Sequence, residues 1–147
     1  MFTNILVALD GSEVSQLALI QAVDQAKIWN AKIHAIFIAE THQFDSFSMD
    51  PTFNMETKRE MYRILEKVGE SILERAEKYC SDKGITIITH MRYGDPGNEI
   101  ISLAEQEKFD LIVIGSHGKS SIDRLLLGSV SSFVVTRNKA ATMVVRG

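Results

Sequence analysis

Asp110-Leu-Ile-Val-Ile-Gly115-Ser-His-Gly118-Lys-Ser-Ser-Ile-Asp-Arg124-Leu-Leu-Leu-Gly128-Ser-Val-Ser131-Ser132 decides how this chain reads. Leu111 to Ile114 form an apolar run too short for a helix and without alternation, which suits a strand buried on both faces. Gly115 ends the run. A loop rich in serine follows, with Gly118 in it. Gly128-Ser129 then opens a second apolar segment, Val130, Phe133 and Val134, at helical spacing, and Ser129 or Ser131 can cap its start. Strand, glycine-broken loop and helix start together suit an anion. Glycines let a backbone approach phosphate oxygens, and helix-start amides attract negative charge. Ser129 and Ser131 add hydroxyls and Lys119 a cation. A plain strand-to-helix connection containing glycines explains the same pattern, so spacing in general leaves two readings open.

Two rival phosphate motifs fail. Gly118-Lys119-Ser120 looks like the end of a P-loop, but Val113 stands where its first glycine belongs. No Gly-x-Gly-x-x-Gly follows a strand, here or at Asp10-Gly11-Ser12.

The whole chain alternates strand and helix. Asn4 to Leu9 reads as a buried first strand. Ser12 caps a helix running to about Asn30, with Val14, Leu17, Ala18, Ala22, Ala26 and Trp29 on one face. Lys32 to Ile38 is the second strand. Thr41 to Met55 is long for a connection in a compact α/β domain. It is either a flexible lid or an ordered loop covering the sheet edge with Phe44, Phe47 and Phe53. Glu56 to Asp82 is the longest helix, with Met61, Ile64, Leu65, Val68, Ile72, Ala76 and Tyr79 as its apolar stripe. The third strand, Gly84 to Tyr93, alternates more than the others and belongs nearer an edge. Gly94-Asp95-Pro96-Gly97 turns into a short helix from Asn98. A helix from about Ser129 to Arg137 precedes a last strand, Thr142 to Arg146. This order implies a Rossmann-like open, mostly parallel sheet with helices on both faces.

Size and charge narrow the classes. At 147 residues, 45% hydrophobic and 24% charged, the chain reads as one ordinary globular domain over residues 1–147. A net charge of −3 leaves no basic footprint for nucleic acid. Cys80 is the only cysteine, so no internal disulfide forms, which fits a reducing cytoplasm, and the residue reads as a packing side chain. No stretch is apolar enough to span a membrane, and Met-Phe-Thr-Asn lacks the features of a signal peptide. The expected location is cytoplasmic. His34, alone among apolar residues, reads as structural.

Gly115-x2-Gly118-x9-Gly128-Ser129, with Ile-Gly-Ser-His-Gly and Arg-Leu-Leu-Leu-Gly-Ser-Val around it, resembles the nucleotide loop of the universal stress protein family. Val-Ala-Leu-Asp10-Gly-Ser resembles that family's opening motif, and Gly94-Asp95-Pro96 before a helix is similar too. The resemblance covers nearly the whole chain and is weakest over Thr41 to Met55. It implies five strands in the order 3-2-1-4-5 and an adenine nucleotide, ATP or another, with Mg²⁺ carried by the phosphates. By position it places Ala8, Leu9 and Asp10 beside the adenosine and the backbone of Ile38 near the base. Ile114 and Gly115 begin the phosphate loop, and Gly118, Gly128, Ser129, Val130 and Ser131 hold the phosphates. His117, Lys119 and Arg124 are sources of charge, with a solvated loop face as the other reading. The resemblance also implies a homodimer through the last strand. Family members usually carry proline just before that strand, where this chain has Ala141-Thr142-Met143, so the pairing there can differ in detail.

The function this implies is a nucleotide-dependent regulatory switch read by a protein partner that the sequence does not identify. No clear water-positioning base is visible for phosphoryl transfer, so catalytic residues are not assigned and hydrolysis is at most slow. The alternatives are a true ATPase and a dimeric interaction module that binds no nucleotide.

Overall fold

The computed structural model describes residues 1–47, 49–118 and 127–147. The elements run β1 (Asn4–Ala8), α1 (Glu13–Trp29), β2 (Lys32–Ala39), a 3-10 segment (Thr41–Phe47), α2 (Met55–Asp82), β3 (Ile87–Tyr93), α3 (Pro96–Gln106), β4 (Leu111–Gly115), α4 (Ser129–Arg137) and β5 (Ala141–Val145). All four strand pairings are parallel. The sheet order is β3-β2-β1-β4-β5, as the resemblance implied.

The sheet is covered on both faces, which is why its central strands are mostly apolar. On one face α1 and α2 bury Ile5, Val7, Ile33, Phe37, Leu111 and Val113. On the other, α3 and α4 cover Leu6, Ile36, Ile112 and Ile114. Each such side chain removed from water contributes roughly 1.5–3 kcal/mol. β3 is the edge strand its alternation suggested, with Ile88 exposed. It begins at Ile87 and not at Gly84, because Gly84 (φ +74°) belongs to the end of α2. There the Cys80 carbonyl accepts the N–H groups of Lys83 and Ile85.

The two long helices keep much of the stripes expected of them but turn part of each outward. In α1 the buried seam is Val14, Ser15, Ala18, Leu19, Ala22, Val23 and Ala26. Leu17 and Trp29 face outward, and the Trp29 ring meets Phe2 edge-on at 6.3 Å. Small side chains at 18, 22 and 26 let the helix lie close to the sheet. In α2 the seam is Gly69, Ile72, Leu73, Ala76 and Cys80, and Ile64 and Val68 are exposed. Gly69 sets that rotation: a Cβ there would lie 2.4 Å from the Phe37 ring, so the helix approaches β2 along its glycine. Cys80 is fully buried, and burial pushes its thiol up to about 11, consistent with a packing role.

Caps account for the helix starts. The Ser12 hydroxyl accepts from the Ser15 N–H, Asn54 Oδ1 from Thr57 and Asp95 Oδ2 from Asn98. α3 therefore begins at Pro96, two residues before the start expected from the sequence. The 41–55 connection forms a 3-10 segment over Thr41–Phe47. Phe44 is buried against Phe53 and Tyr62, the covering arrangement of the two considered. The side chain of Phe47 lies outside the described residues.

Candidate functional site

β1 and β4 are neighbours, yet the chain leaves them toward opposite faces, β1 into α1 and β4 toward α4. Their C-terminal ends therefore part and leave a crevice, the place where open α/β sheets bind ligands. Among the described residues, those assigned to the nucleotide from the sequence lie on or directly after β1, β2 and β4, or at the start of α4, at that end.

On the β1 side, Leu9 donates its N–H to the Ile36 carbonyl as the last rung to β2. Strand groups repeat every second residue, so the backbone of Ile38 faces the same way one step beyond the end of β1. Asp10 follows at the turn. Its Oδ1 accepts the Ser12 N–H at 2.9 Å, which fixes the side chain. Its N–H donates weakly to the Ser15 hydroxyl at 3.4 Å. Gly11 supplies the positive φ (+85°) that the turn requires.

On the β4 side, Gly115 lies against Val14 of α1, where a Cβ would come within 2.5 Å of Val14 Cγ1. Ser116 is 1% exposed and holds the loop together. Its N–H donates to the Val145 carbonyl at 2.8 Å. Its own carbonyl accepts the Gly128 N–H at 2.7 Å and the Ser131 hydroxyl at 2.8 Å. Both sides of the described loop are thus tied to one residue. Ser116 Oγ lies 3.1 Å from His117 Nδ1. Sequence reasoning missed Ser116 because the glycines around it carried the spacing. Its only signal is that a small polar side chain follows the strand directly.

Gly118 brings the halves together: a Cβ there would lie 2.9 Å from Asp10 Oδ2. At Gly128 an added Cβ would meet the His117 Cα at 3.1 Å. Gly128 is also the N-cap of α4, and having no side chain it offers no cap to the first turn. This corrects the expectation that Ser129 or Ser131 caps the helix. The Ser131 hydroxyl is turned back onto the carbonyls of Ser116 and Gly128. The first amides of any helix lack an intrahelical acceptor. At Ser129, Val130 and Ser131 those donors and the positive end of the helix dipole stand beside the crevice. Lys119 and Arg124, the other expected sources of charge, lie outside the described residues.

Such a crevice, with backbone donors on one wall and a carboxylate on the other, stands at the switch point of an open α/β sheet. The universal stress protein family model matches residues 1–146, and the chain belongs to that family. It is 32% identical to universal stress protein MJ0531 of Methanocaldococcus jannaschii over 99% of this chain and 83% of the relative. It is 32% identical to YxiE of Bacillus subtilis over 99% of this chain and all of the relative. Among solved structures, the MJ0577 protein superposes with a TM-score of 0.85 at 26% identity, over 100% of this chain and 97% of the other. A universal stress protein solved in complex with cAMP superposes at 0.72 with 27% identity, over 99% and 97%. Among the described residues no helix is long and apolar enough to cross a membrane.

Proposed function

We propose that this protein binds an adenine nucleotide, ATP foremost, in the crevice between β1 and β4, and acts as a nucleotide-dependent regulatory switch with at most slow hydrolysis. One observation carries the reading. The uncapped first turn of α4 faces a crevice whose closest approaches are at Gly118 and Gly128, where any Cβ would intrude on Asp10 or His117. Amide donors without side chains in front of them suit phosphate oxygens. The cAMP complex of a relative 27% identical supports an adenine nucleotide as the class of ligand.

In this reading Ala8, Leu9 and Asp10 border the adenosine, and the backbone of Ile38 meets the base. The phosphates lie between Ile114-Gly115, His117-Gly118 and the start of α4 at Gly128, Ser129, Val130 and Ser131. The α4 contribution is its N–H groups, since the Ser131 proton is committed to carbonyls. Mg²⁺, when present, travels on the phosphates. The protein is a single domain over residues 1–147, works in the cytoplasm and pairs with a second copy through β5. β5 is an edge strand with one in-sheet neighbour, β4. Nucleic acid and membrane are not its partners; a protein that reads its nucleotide state is.

Native mass spectrometry of the purified protein, alone and then with ATP and Mg²⁺, tests this directly. The expected result is a dimer with one nucleotide mass per subunit. A chain that stays empty at millimolar ATP overturns the reading and leaves an interaction module. Turnover that saturates with ATP and disappears in Asp10→Ala would instead make it an ATPase.

A further inference from the structure

On the α3 face of the sheet, away from the crevice, His34 of β2 and His90 of β3 meet. His34 Nδ1 and His90 Nε2 are 2.9 Å apart. The ring centroids are 5.1 Å apart and the planes 7° from parallel. That separation is too wide for a face-to-face stack at this nitrogen distance. It equals the nitrogen–nitrogen distance plus one ring radius at each end. The imidazoles are therefore head to head in a shared plane, each presenting one nitrogen to the other. Such a contact holds a single proton: one nitrogen donates and the other must keep its lone pair.

The surroundings fix the rings there. His34 is 7% exposed, and the Phe109 ring meets it edge-on at 4.7 Å. The charged groups facing the pair are Glu107 from the end of α3, Lys32 on β2 and Arg92 on β3. Arg92 is engaged with Gln106 and Glu99, and the Glu107 carbonyl is held by Asn4 Nδ2. The carboxylate that acts on the pair is thus anchored by its backbone, while two cations oppose a second positive charge. Among the described residues no third metal-ligating side chain completes a cation site with the pair.

We propose that His34 and His90 form a one-proton latch that holds the edge strand β3 to β2, and that a second proton opens it. With both facing nitrogens protonated, two N–H groups point at each other and the contact cannot persist. β3 has no strand on its other side, so β2 is its one partner within the sheet. It pairs with β2 up to Ile38↔Arg92 and Ala39↔Tyr93, so opening loosens the strand beside Ile38. Burial lowers the readiness of both rings to protonate, His90 and Lys32 oppose it further at His34, Arg92 opposes it at His90, and Glu107 acts the other way on both. The folded state thus takes up its proton at lower pH than the unfolded chain. The latch stabilises the fold above the ordinary histidine value of about 6.5 and is lost as pH falls below it.

The test combines imidazole ¹⁵N titration with amide hydrogen-exchange protection on the full chain between pH 8 and 5. The expected result is titration of the pair below the ordinary value, with protection of Ile87 to Tyr93 falling roughly tenfold or more relative to β1 and β4. His90→Gln keeps an amide for His34 but no titrating ring, and its β3 protection should be independent of pH. Glu107→Gln should move the opening to lower pH, which a purely structural contact would not do. If both rings titrate independently near 6.5 while β3 protection stays constant, the latch is refuted. If His90→Gln does not fold, the wild-type titration and the Glu107→Gln shift decide alone.

Discussion

The two ends of the sheet are built from the same strands and could hardly differ more. At the N-terminal end side chains tie the strands together. One carboxylate of Asp110 accepts the Thr3 N–H, the Thr3 hydroxyl and the Asn4 N–H, at 2.8, 2.9 and 3.0 Å. The Asp110 N–H in turn donates to the Asn4 carbonyl, and the Lys32 N–H to that of Thr3. At the C-terminal end β4 runs out in Gly115, and Gly118 and Gly128 stand where side chains would close the gap. Backbone polar groups need partners wherever they are buried. The stitched end has its backbone partners within the chain, and in the proposed reading the open end keeps donors for a ligand. Stability should therefore reside at one end and binding at the other.

The strongest way to break this division is Gly128→Val, with Gly118→Val beside it. Each places carbon in the crevice, at 3.1 Å from His117 Cα or 2.9 Å from Asp10 Oδ2 before any adjustment. Losing two or more hydrogen bonds to phosphate, at about 1.5–3 kcal/mol each, weakens ATP binding by about a hundredfold or more. The melting temperature should move by no more than a few degrees. Calorimetry showing normal affinity in both variants would remove the loop from the site.

Asp110→Ala is the mirror experiment. It removes three hydrogen bonds to a carboxylate. Because the group is only partly buried, the expected loss is discounted to about 1–2 kcal/mol, read by urea unfolding. Nucleotide affinity should not change. Burial pushes the Asp110 carboxyl up, but the Asn4 and Thr3 N–H groups and the Thr3 hydroxyl outweigh it and hold it below the usual range. A depressed carboxyl stabilises the fold above its unfolded value of about 3.9 and loses that contribution as pH falls through the folded one. The difference between wild type and Asp110→Ala should accordingly shrink in acid. A variant that keeps full stability but loses ATP would reverse the roles of the two ends.

How much of this was legible depends on which property each residue expresses. Apolar runs such as Leu111 to Ile114 announce buried strands, because burial on both faces selects side chains at every position. The glycine spacing pointed to the loop through its resemblance to the family pattern, and at Gly118 and Gly128 an added Cβ would crowd Asp10 or His117. Helix rotation was less visible. Leu17 and Trp29 of α1, and Ile64 and Val68 of α2, are apolar and correctly spaced yet exposed, because Gly69 and the alanines of α1 determine which side approaches the sheet. Gly69, outside the expected stripe, lies in the buried seam. Ser116 and the Asp110 clamp were also hidden. Their partners lie fifteen and more than a hundred residues away, and hydrogen bonds to backbone leave no pattern in the partner's sequence. His34 read as a lone histidine among apolar residues, and only the fold brings His90 to it.

Ser131→Ala makes the smallest change and tests the division most finely, since this residue is buried yet belongs to the open end. Its hydroxyl donates to Ser116 O at 2.8 Å and lies 3.0 Å from Gly128 O. Neither carbonyl is orphaned by the change, because Ser116 O keeps the Gly128 N–H and Gly128 O keeps the Ser132 N–H. The expected cost is therefore that of one ordinary hydrogen bond, about 1 kcal/mol of stability. ATP affinity should fall less than about fivefold, under roughly 1 kcal/mol, because the α4 amides remain in place. The opposite pattern, unchanged stability with affinity lost more than about tenfold, would mean that the hydroxyl turns to the phosphate when nucleotide arrives. Side-chain donors would then share the open end with the backbone. The stability and affinity of this one variant thus decide whether the crevice holds phosphate by main chain alone.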